Sequence, residues 1–322
     1  MPNTSGLNFS LVTFAAPGGA ATAGLVVGGR IYAASEAICA SLGELSGDFD
    51  SMLGILERWD ISEPELAFAA AKLADGSISP KSVSFDEAQL FAPVLYPSAV
   101  YGSGANYTDH MEEMASILNV PIENPKDQGQ LPWHFVKTGR NTVVGPGAQI
   151  QIPSYASMID WEIELAAVVG RTAHGVSVEN ALNHIAGYTI ANDLSARDHV
   201  KRVGVKADSP FAYDWVSQKC FNGSCPLGPT LVPARCLPDP LKLSMRLWVN
   251  GVLKQDSSTS RMIFSVAEQV AYLSSRTTLY PGDVILTGTP AGVGMARREF
   301  LNPGDVVRLE IEGLGLLENV IV

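Results

Sequence analysis

The stretch Met158-Ile-Asp-Trp-Glu-Ile-Glu-Leu-Ala-Ala-Val-Val-Gly170 sets three carboxylates, Asp160, Glu162 and Glu164, at two-residue spacing and then turns apolar. In an extended strand that spacing aims all three the same way. The run from Leu165 to Val169 reads as a strand buried on both faces. Carboxylates leading into such a strand need a compensating cation, and a divalent metal ion would supply it. The alternative is a half-exposed strand with a solvated acidic face, the ordinary fate of an isolated Glu-x-Glu. The surrounding segments decide between the two.

Downstream, Ser177 to Ile185 has helical apolar spacing at Val178, Ala181, Leu182 and Ile185, and it joins the acidic strand to a second apolar strand, Gly187 to Asp193. One connecting helix is the sort of crossover that returns a neighbouring strand to the same end, which places Asp193 beside the glutamates. Two glutamates and an aspartate make an all-oxygen donor set suited to Mg²⁺, Mn²⁺ or Ca²⁺. Zinc fits less well, because no His or Cys stands at ligand spacing beside them. Taken alone, Asp193 would read as a strand-end cap.

Upstream, Gly104-Ala-Asn-Tyr-Thr-Asp-His-Met-Glu-Glu113 brings His110 and Glu113 together if a helical turn forms there, with Glu112 as the competing partner. A carboxylate on one imidazole nitrogen fixes the tautomer and raises the basicity of the other, the arrangement needed to take a proton from water near pH 7. Lys219-Cys-Phe-Asn-Gly-Ser-Cys-Pro-Leu-Gly-Pro229 is a turn-rich loop that opens on a lysine. In Leu286-Thr-Gly-Thr-Pro-Ala-Gly-Val-Gly294 a strand runs into a small-residue loop whose amides and Thr289 hydroxyl could cradle an anion. That loop lacks the Gly-Lys-Ser/Thr of a phosphate loop, so a nucleotide site is not indicated.

The chain has 322 residues, 46% hydrophobic and 17% charged, which fits one large domain or a large and a small one. A formal net charge of -11 argues against a nucleic-acid or anionic-membrane partner. No segment approaches the roughly 18 apolar residues of a spanning helix, and Met1 to Ser5 lacks the basic residues that open a secretory signal. The expected location is cytoplasmic. Four cysteines without Cys-x-x-Cys spacing support neither a zinc knuckle nor a disulfide framework.

Residues 23 to 33 read as two short strands about a Gly28-Gly29 turn, followed by helices at about 49 to 59 and 63 to 74, the second capped by Ser62 with Pro64 in its first turn. This predicts a small N-terminal α+β domain over residues 1 to 90. From 91 to 322 strands dominate. Asn250-Gly251 marks a hairpin, Ser265-Val-Ala-Glu268 a capping box, and Pro281-Gly-Asp and Pro303-Gly-Asp are turns into strands.

In this order the segments resemble the fumarylacetoacetate hydrolase family. The matching motifs are Asn106-Tyr107-x-x-His110-x-x-Glu113, Asp160-Trp-Glu162-x-Glu164-Leu-Ala and Asn192-Asp193-x-Ser195-Ala-Arg197-Asp198. They continue through the Lys219 to Pro229 segment, Val249-Asn-Gly-x-x-x-Gln255-x-x-x-Thr259-x-x-Met262-Ile-Phe264, and Pro281-Gly-Asp-Val-Ile-Leu-Thr-Gly-Thr289-Pro-x-Gly-Val-Gly294. The resemblance covers about residues 90 to 322. It implies an α+β, mostly β fold, with a mixed β-roll catalytic domain that is usually dimeric.

By the same resemblance Glu162, Glu164 and Asp193 are the metal ligands, usually for Mg²⁺, with Mn²⁺ or Ca²⁺ as other candidates. His110 and Glu113 form the dyad that activates water, and Lys219 faces the substrate. Thr289, Gln255, Arg197 and Tyr107 lie at a small oxo-acid substrate. The implied reaction is hydrolysis of a carbon–carbon bond in an acylpyruvate or related 1,3-dioxo or 2-oxo acid, the ion polarising the carbonyl that water attacks. The alternative is a tautomerase, isomerase or decarboxylase of a 2-oxo dicarboxylate such as oxaloacetate, because enolisation needs the ion without the dyad. Two departures from the family pattern stand out: Thr138 where proline is usual, and a His199 to Asp214 loop with a composition of its own, both expected near the mouth of the site.

Overall fold

Gly28 and Gly29 adopt φ of 57° and 75° and turn the chain between strands Thr22–Val27 and Arg30–Ala33, the left-handed pair that a two-residue hairpin requires. The computed structural model describes residues 8–15, 19–119, 121, 123–206, 208–237 and 239–322. The opening Met1 to Ser5 segment lies outside them.

The hairpin's strand Thr22–Val27 pairs with Ser10–Ala15, and Ser10–Ala15 meets Cys225–Pro233 through Leu11 opposite Leu231. The N-terminal strands therefore continue the sheet that carries the acidic strand. Its order runs Ser82–Ser84, Arg30–Ala33, Thr22–Val27, Ser10–Ala15, Cys225–Pro233, Ile185–Asn192, Ile163–Val169, Val284–Leu286, Val100–Ser103 and His134–Lys137. A second, five-stranded sheet holds Val252–Ser258, Ser244–Val249, Val306–Ile311, Gly315–Ile321 and Gln149–Ile150. The architecture is the sheet-dominated α+β fold expected from the sequence.

Every residue of Ile163–Val169 and of Ile185–Asn192 is buried, as their apolar runs require. One face packs on Trp161, Leu247, Leu309 and Leu317, the other on Ile55, Leu66 and Ala70 of the N-terminal helices. Asn250 and Gly251 form the hairpin turn, and Ser265 with Glu268 forms the reciprocal cap of helix Val266–Ser274.

The N-terminal helices differ from the periodicity reading. Helix Ala34–Leu42, closed by Gly43 at φ 89°, was not anticipated; its buried stripe is Ala34, Ala37 and Ile38. The helix expected at 49 to 59 is the shorter Met52–Glu57, capped by Ser51. The next begins at Trp59, four residues before the expected start, and carries Pro64 inside it. Burial of the Trp59 ring in the core outweighs the local cap signal at Ser62.

Candidate active site

Strand Ile163–Val169 runs antiparallel to Ile185–Asn192 with Ile163 opposite Asn192, so the start of one meets the end of the other. Asp193 N donates to Glu162 O at 2.9 Å, and Glu162 N donates to Asn192 Oδ1 at 3.0 Å. Glu162, Glu164 and Asp193 thereby converge, each offering a carboxylate oxygen within 4.8 Å of the others, and all three are buried.

Asp160 does not share their face. The strand is interrupted at Trp161, and Asp160 pairs with Ser195 in a separate two-stranded ladder. Its carboxylate accepts from Gly294 N at 2.6 Å, Met295 N at 3.0 Å and Arg197 Nε at 2.8 Å. It anchors the Thr289 to Gly294 loop and the guanidinium.

Three cations meet this acidic cluster. Lys219 Nζ donates to Glu162 Oε2 at 2.8 Å and to Asp193 Oδ2 at 2.5 Å, and Lys137 Nζ donates to Asp193 Oδ1 at 2.5 Å. Arg197 bridges Asp160 and Glu162. Burial pushes Glu162 up, but the Lys219 and Arg197 charges outweigh it and hold the carboxyl well below its usual range. Burial pushes the Lys219 amine down, but Asp193 and Glu162 outweigh it and raise it, so the amine rests protonated.

Glu164 is the exception. Its carboxylate accepts from Gly288 N at 2.6 Å and has no ion pair among the described residues. Burial and then the charges of Asp193 and Glu162 push it well above the carboxylate range. A buried all-oxygen trio with one uncompensated member is what a hard divalent cation satisfies, so the residues present fit such an ion.

Helix Thr108–Leu118 carries the expected dyad: His110 Nδ1 lies 3.6 Å from Glu113 Oε2, while Glu112 is exposed. Both Glu113 oxygens accept from Gly292 N at 3.1 Å, which ties the dyad to the Thr289 loop. Gln255 stands behind that loop. It accepts from Ile163 N at 3.0 Å and donates to Thr289 Oγ1 and Pro290 O, each at 2.9 Å, so it orients Thr289 from outside the cavity lining. Tyr107 is a correction to the expected substrate contact: its ring is fully buried in the core and its hydroxyl donates to Met245 Sδ at 3.3 Å. The apolar surroundings claim the ring.

A cavity of about 220 Å³ is lined by His110, Glu162, Glu164, Arg197, Lys219 and Thr289, and on another side by Trp133, Phe135, Trp215 and Val200. The aromatic wall is continuous. Trp133 and Trp215 have centroids 4.9 Å apart, Phe135 stacks on Trp215 at 5.9 Å, and Lys219 Nζ lies 4.8 Å over the Phe135 ring. From the His199 to Asp214 loop, Val200 reaches the cavity while Val203 and Phe211 are exposed. Sequence reasoning did not assign Lys137, Ser103, Gln218 or the three rings. The stretch around Thr138, expected near the mouth of the site, lies beside Phe135 and Lys137 but named neither.

A family model described as the fumarylacetoacetate (FAA) hydrolase C-terminal part matches residues 99–322. A mitochondrial oxaloacetate tautomerase of Xenopus laevis is 39% identical over 277 residues, 85% of this chain and 81% of that protein. A 2,4-didehydro-3-deoxy-L-rhamnonate hydrolase of a Sphingomonas strain is 38% identical over 78% of this chain and 83% of its own length. Maleylpyruvate hydrolase from Sphingobium, solved with manganese(II) and pyruvate, superposes with a TM-score of 0.72 at 25% identity, covering 97% of this chain and 98% of that one. Among the described residues no helix is long and apolar enough to cross a membrane.

Proposed function

The chain belongs to the fumarylacetoacetate hydrolase family, and from that premise we propose that it is a divalent-metal-dependent keto–enol tautomerase of a 2-oxo acid. This departs from the hydrolase reading of the motifs, because tautomerases recur among relatives about 40% identical over 70% or more of their own length. Glu162, Glu164 and Asp193 would hold the ion, Mg²⁺ or Mn²⁺, the latter present in the Sphingobium enzyme. When bound, the ion supplies Lewis acidity that polarises the 2-oxo group.

The observation that carries the proposal is the state of Lys219. An ammonium has three N–H donors, and Lys219 spends two on Glu162 and Asp193, leaving one for the cavity it lines. That N–H protonates C3 of the enol, and the resulting amine takes the proton of the enol hydroxyl. Two protons move, Lys219 returns to its starting state, and the enol has become the ketone. Thr289 Oγ1, fixed by Gln255, binds the substrate carboxylate. Trp133, Phe135 and Trp215 give the enol an apolar wall, with Trp133 itself 46% exposed.

A second reading rests on the His110 and Glu113 pair, which enolisation does not need. With Glu113 Oε2 3.6 Å from its Nδ1, His110 can take a proton from water at Nε2, the requirement for cleaving an acylpyruvate. The test measures ketonisation of enol-oxaloacetate beside cleavage of acetylpyruvate and fumarylpyruvate, each with Mg²⁺, with Mn²⁺ and with chelator. Metal-dependent ketonisation exceeding either cleavage supports tautomerisation; cleavage without accelerated ketonisation overturns it.

A further inference from the structure

Apart from His110 Nδ1, which faces Glu113 at 3.6 Å, two polar atoms of the cavity-lining residues have no hydrogen-bond partner among the described residues: Ser103 Oγ and Gln218 Oε1. Their side chains are 5% and 3% exposed. A buried polar atom left unpaired is penalised, and native structures rarely leave one without a reason. Two in the lining of one small cavity point to a polar group on the ligand.

Both stand on elements that also carry or flank the aromatic wall. Ser103 ends strand Val100–Ser103 and pairs with His134. Gln218 lies on helix Trp215–Lys219 three residues after Trp215, which brings it to the aromatic side of the cavity. The cations among the lining residues, Arg197 and Lys219, are already paired with Asp160, Glu162 and Asp193. A second carboxylate placed against Trp133, Phe135 and Trp215 would find only the remaining N–H of Lys219, whose amine lies 4.8 Å over the Phe135 ring, and could not donate to Gln218 Oε1. A hydroxyl, by contrast, can both donate to an acceptor such as Gln218 Oε1 and accept from a donor such as Ser103 Oγ–H, so it suits both atoms. The cavity, about 220 Å³ or roughly seven water volumes, has room for a four-carbon acid.

We propose that Ser103 and Gln218 form a hydroxyl-reading subsite, so that the substrate class is a 2-oxo acid with a neutral, hydroxyl-bearing tail lying against the aromatic wall. This rests on the 2-oxo-acid reading above for the other end of the ligand. It is tested with three acids that differ only at C4: 2-oxobutanoate, 4-hydroxy-2-oxobutanoate and oxaloacetate. Each is titrated calorimetrically into the Mg²⁺-loaded protein, and C3 proton–deuterium exchange is followed by NMR in the same samples.

The expected result is a Kd about tenfold lower for the 4-hydroxy acid than for 2-oxobutanoate, a ratio that falls to about one in Gln218→Leu and in Ser103→Ala. Melting curves check that the variants are folded, and the wild-type ratio stands as a test without them. Equal affinities in the wild type, or a ratio that survives both substitutions, overturn the subsite. So does tighter binding of oxaloacetate that is lost in Gln218→Leu, which would make the pair a carboxylate reader. Absence of exchange with the affinity ratio intact counts against tautomerisation alone, and no binding of any of the acids overturns both.

Discussion

Lys137 Nζ lies 2.5 Å from Asp193 Oδ1 with both side chains buried, so the third carboxylate of the trio is held by a lysine from a strand 56 residues away. The same amine donates to Leu194 O at 3.3 Å, fixing the turn in which Asp193 sits. Lys137→Met leaves a buried charge with half its partners. The expected loss is about 3–5 kcal/mol of unfolding free energy, together with weaker Mn²⁺ binding, read by urea titration and calorimetry. Unchanged values of both would remove Lys137 from the site's support.

Glu164 and His110 divide the work differently. Glu164→Ala removes the one trio member without an ion pair, and metal affinity and every turnover should disappear together. His110→Ala leaves the trio intact, so bound Mn²⁺ should match the wild type and ketonisation should persist, while any acylpyruvate cleavage falls by about 10²–10⁴. Comparable metal loss in both variants would refute this division.

His134 gives the fold a pH dependence. Burial holds its imidazole down, to about 4, against a weaker opposing hydrogen bond with Gln269. The unfolded chain titrates near the usual 6.5, so between pH 6.5 and 4 the unfolded state binds the extra proton. Stability from the neutral ring is complete above pH 6.5 and is lost as pH falls towards 4. The ceiling is about 3 kcal/mol, reduced because solvent still reaches part of the ring. Unfolding titrations from pH 7 to 4 should show a steeper decline in the wild type than in His134→Phe; parallel curves would contradict the assignment.

Gly292 couples loop shape to the dyad. It sits at φ 99°, and a Cβ there would lie 2.1 Å from Lys254 O. Gly292→Ala must shift the backbone whose N–H orients Glu113, at a cost on the order of 1–3 kcal/mol for the strained conformation alone. Acylpyruvate cleavage should suffer more than ketonisation, as a comparison of the two rates would reveal.

How much was visible beforehand follows from the range of each contact. Glu162 and Glu164 were legible because their spacing and the apolar run are local, and His110 with Glu113 because one helical turn joins them. Asp193 followed from a single crossover. Lys137, Ser103 and Gln218 were not legible, since nothing in their own segments says which strand they will face. Tyr107 misled for the same reason: it sits inside a site motif, yet the core takes its ring. Asp160 kept the spacing of its neighbours while the interruption at Trp161 sent it to another ladder. In the N-terminal unit, helix Ala34–Leu42 escaped notice because its buried positions are mostly alanine.

The most direct test of the account is the rate of enol-oxaloacetate ketonisation by Lys219→Met, measured beside the wild type with Mn²⁺ occupancy determined on the same samples. With occupancy matched, the expected result is a fall of about 10²–10⁴ in kcat, because the N–H that reaches C3 is gone. A Lys219→Met protein that holds Mn²⁺ and ketonises at the wild-type rate would contradict it.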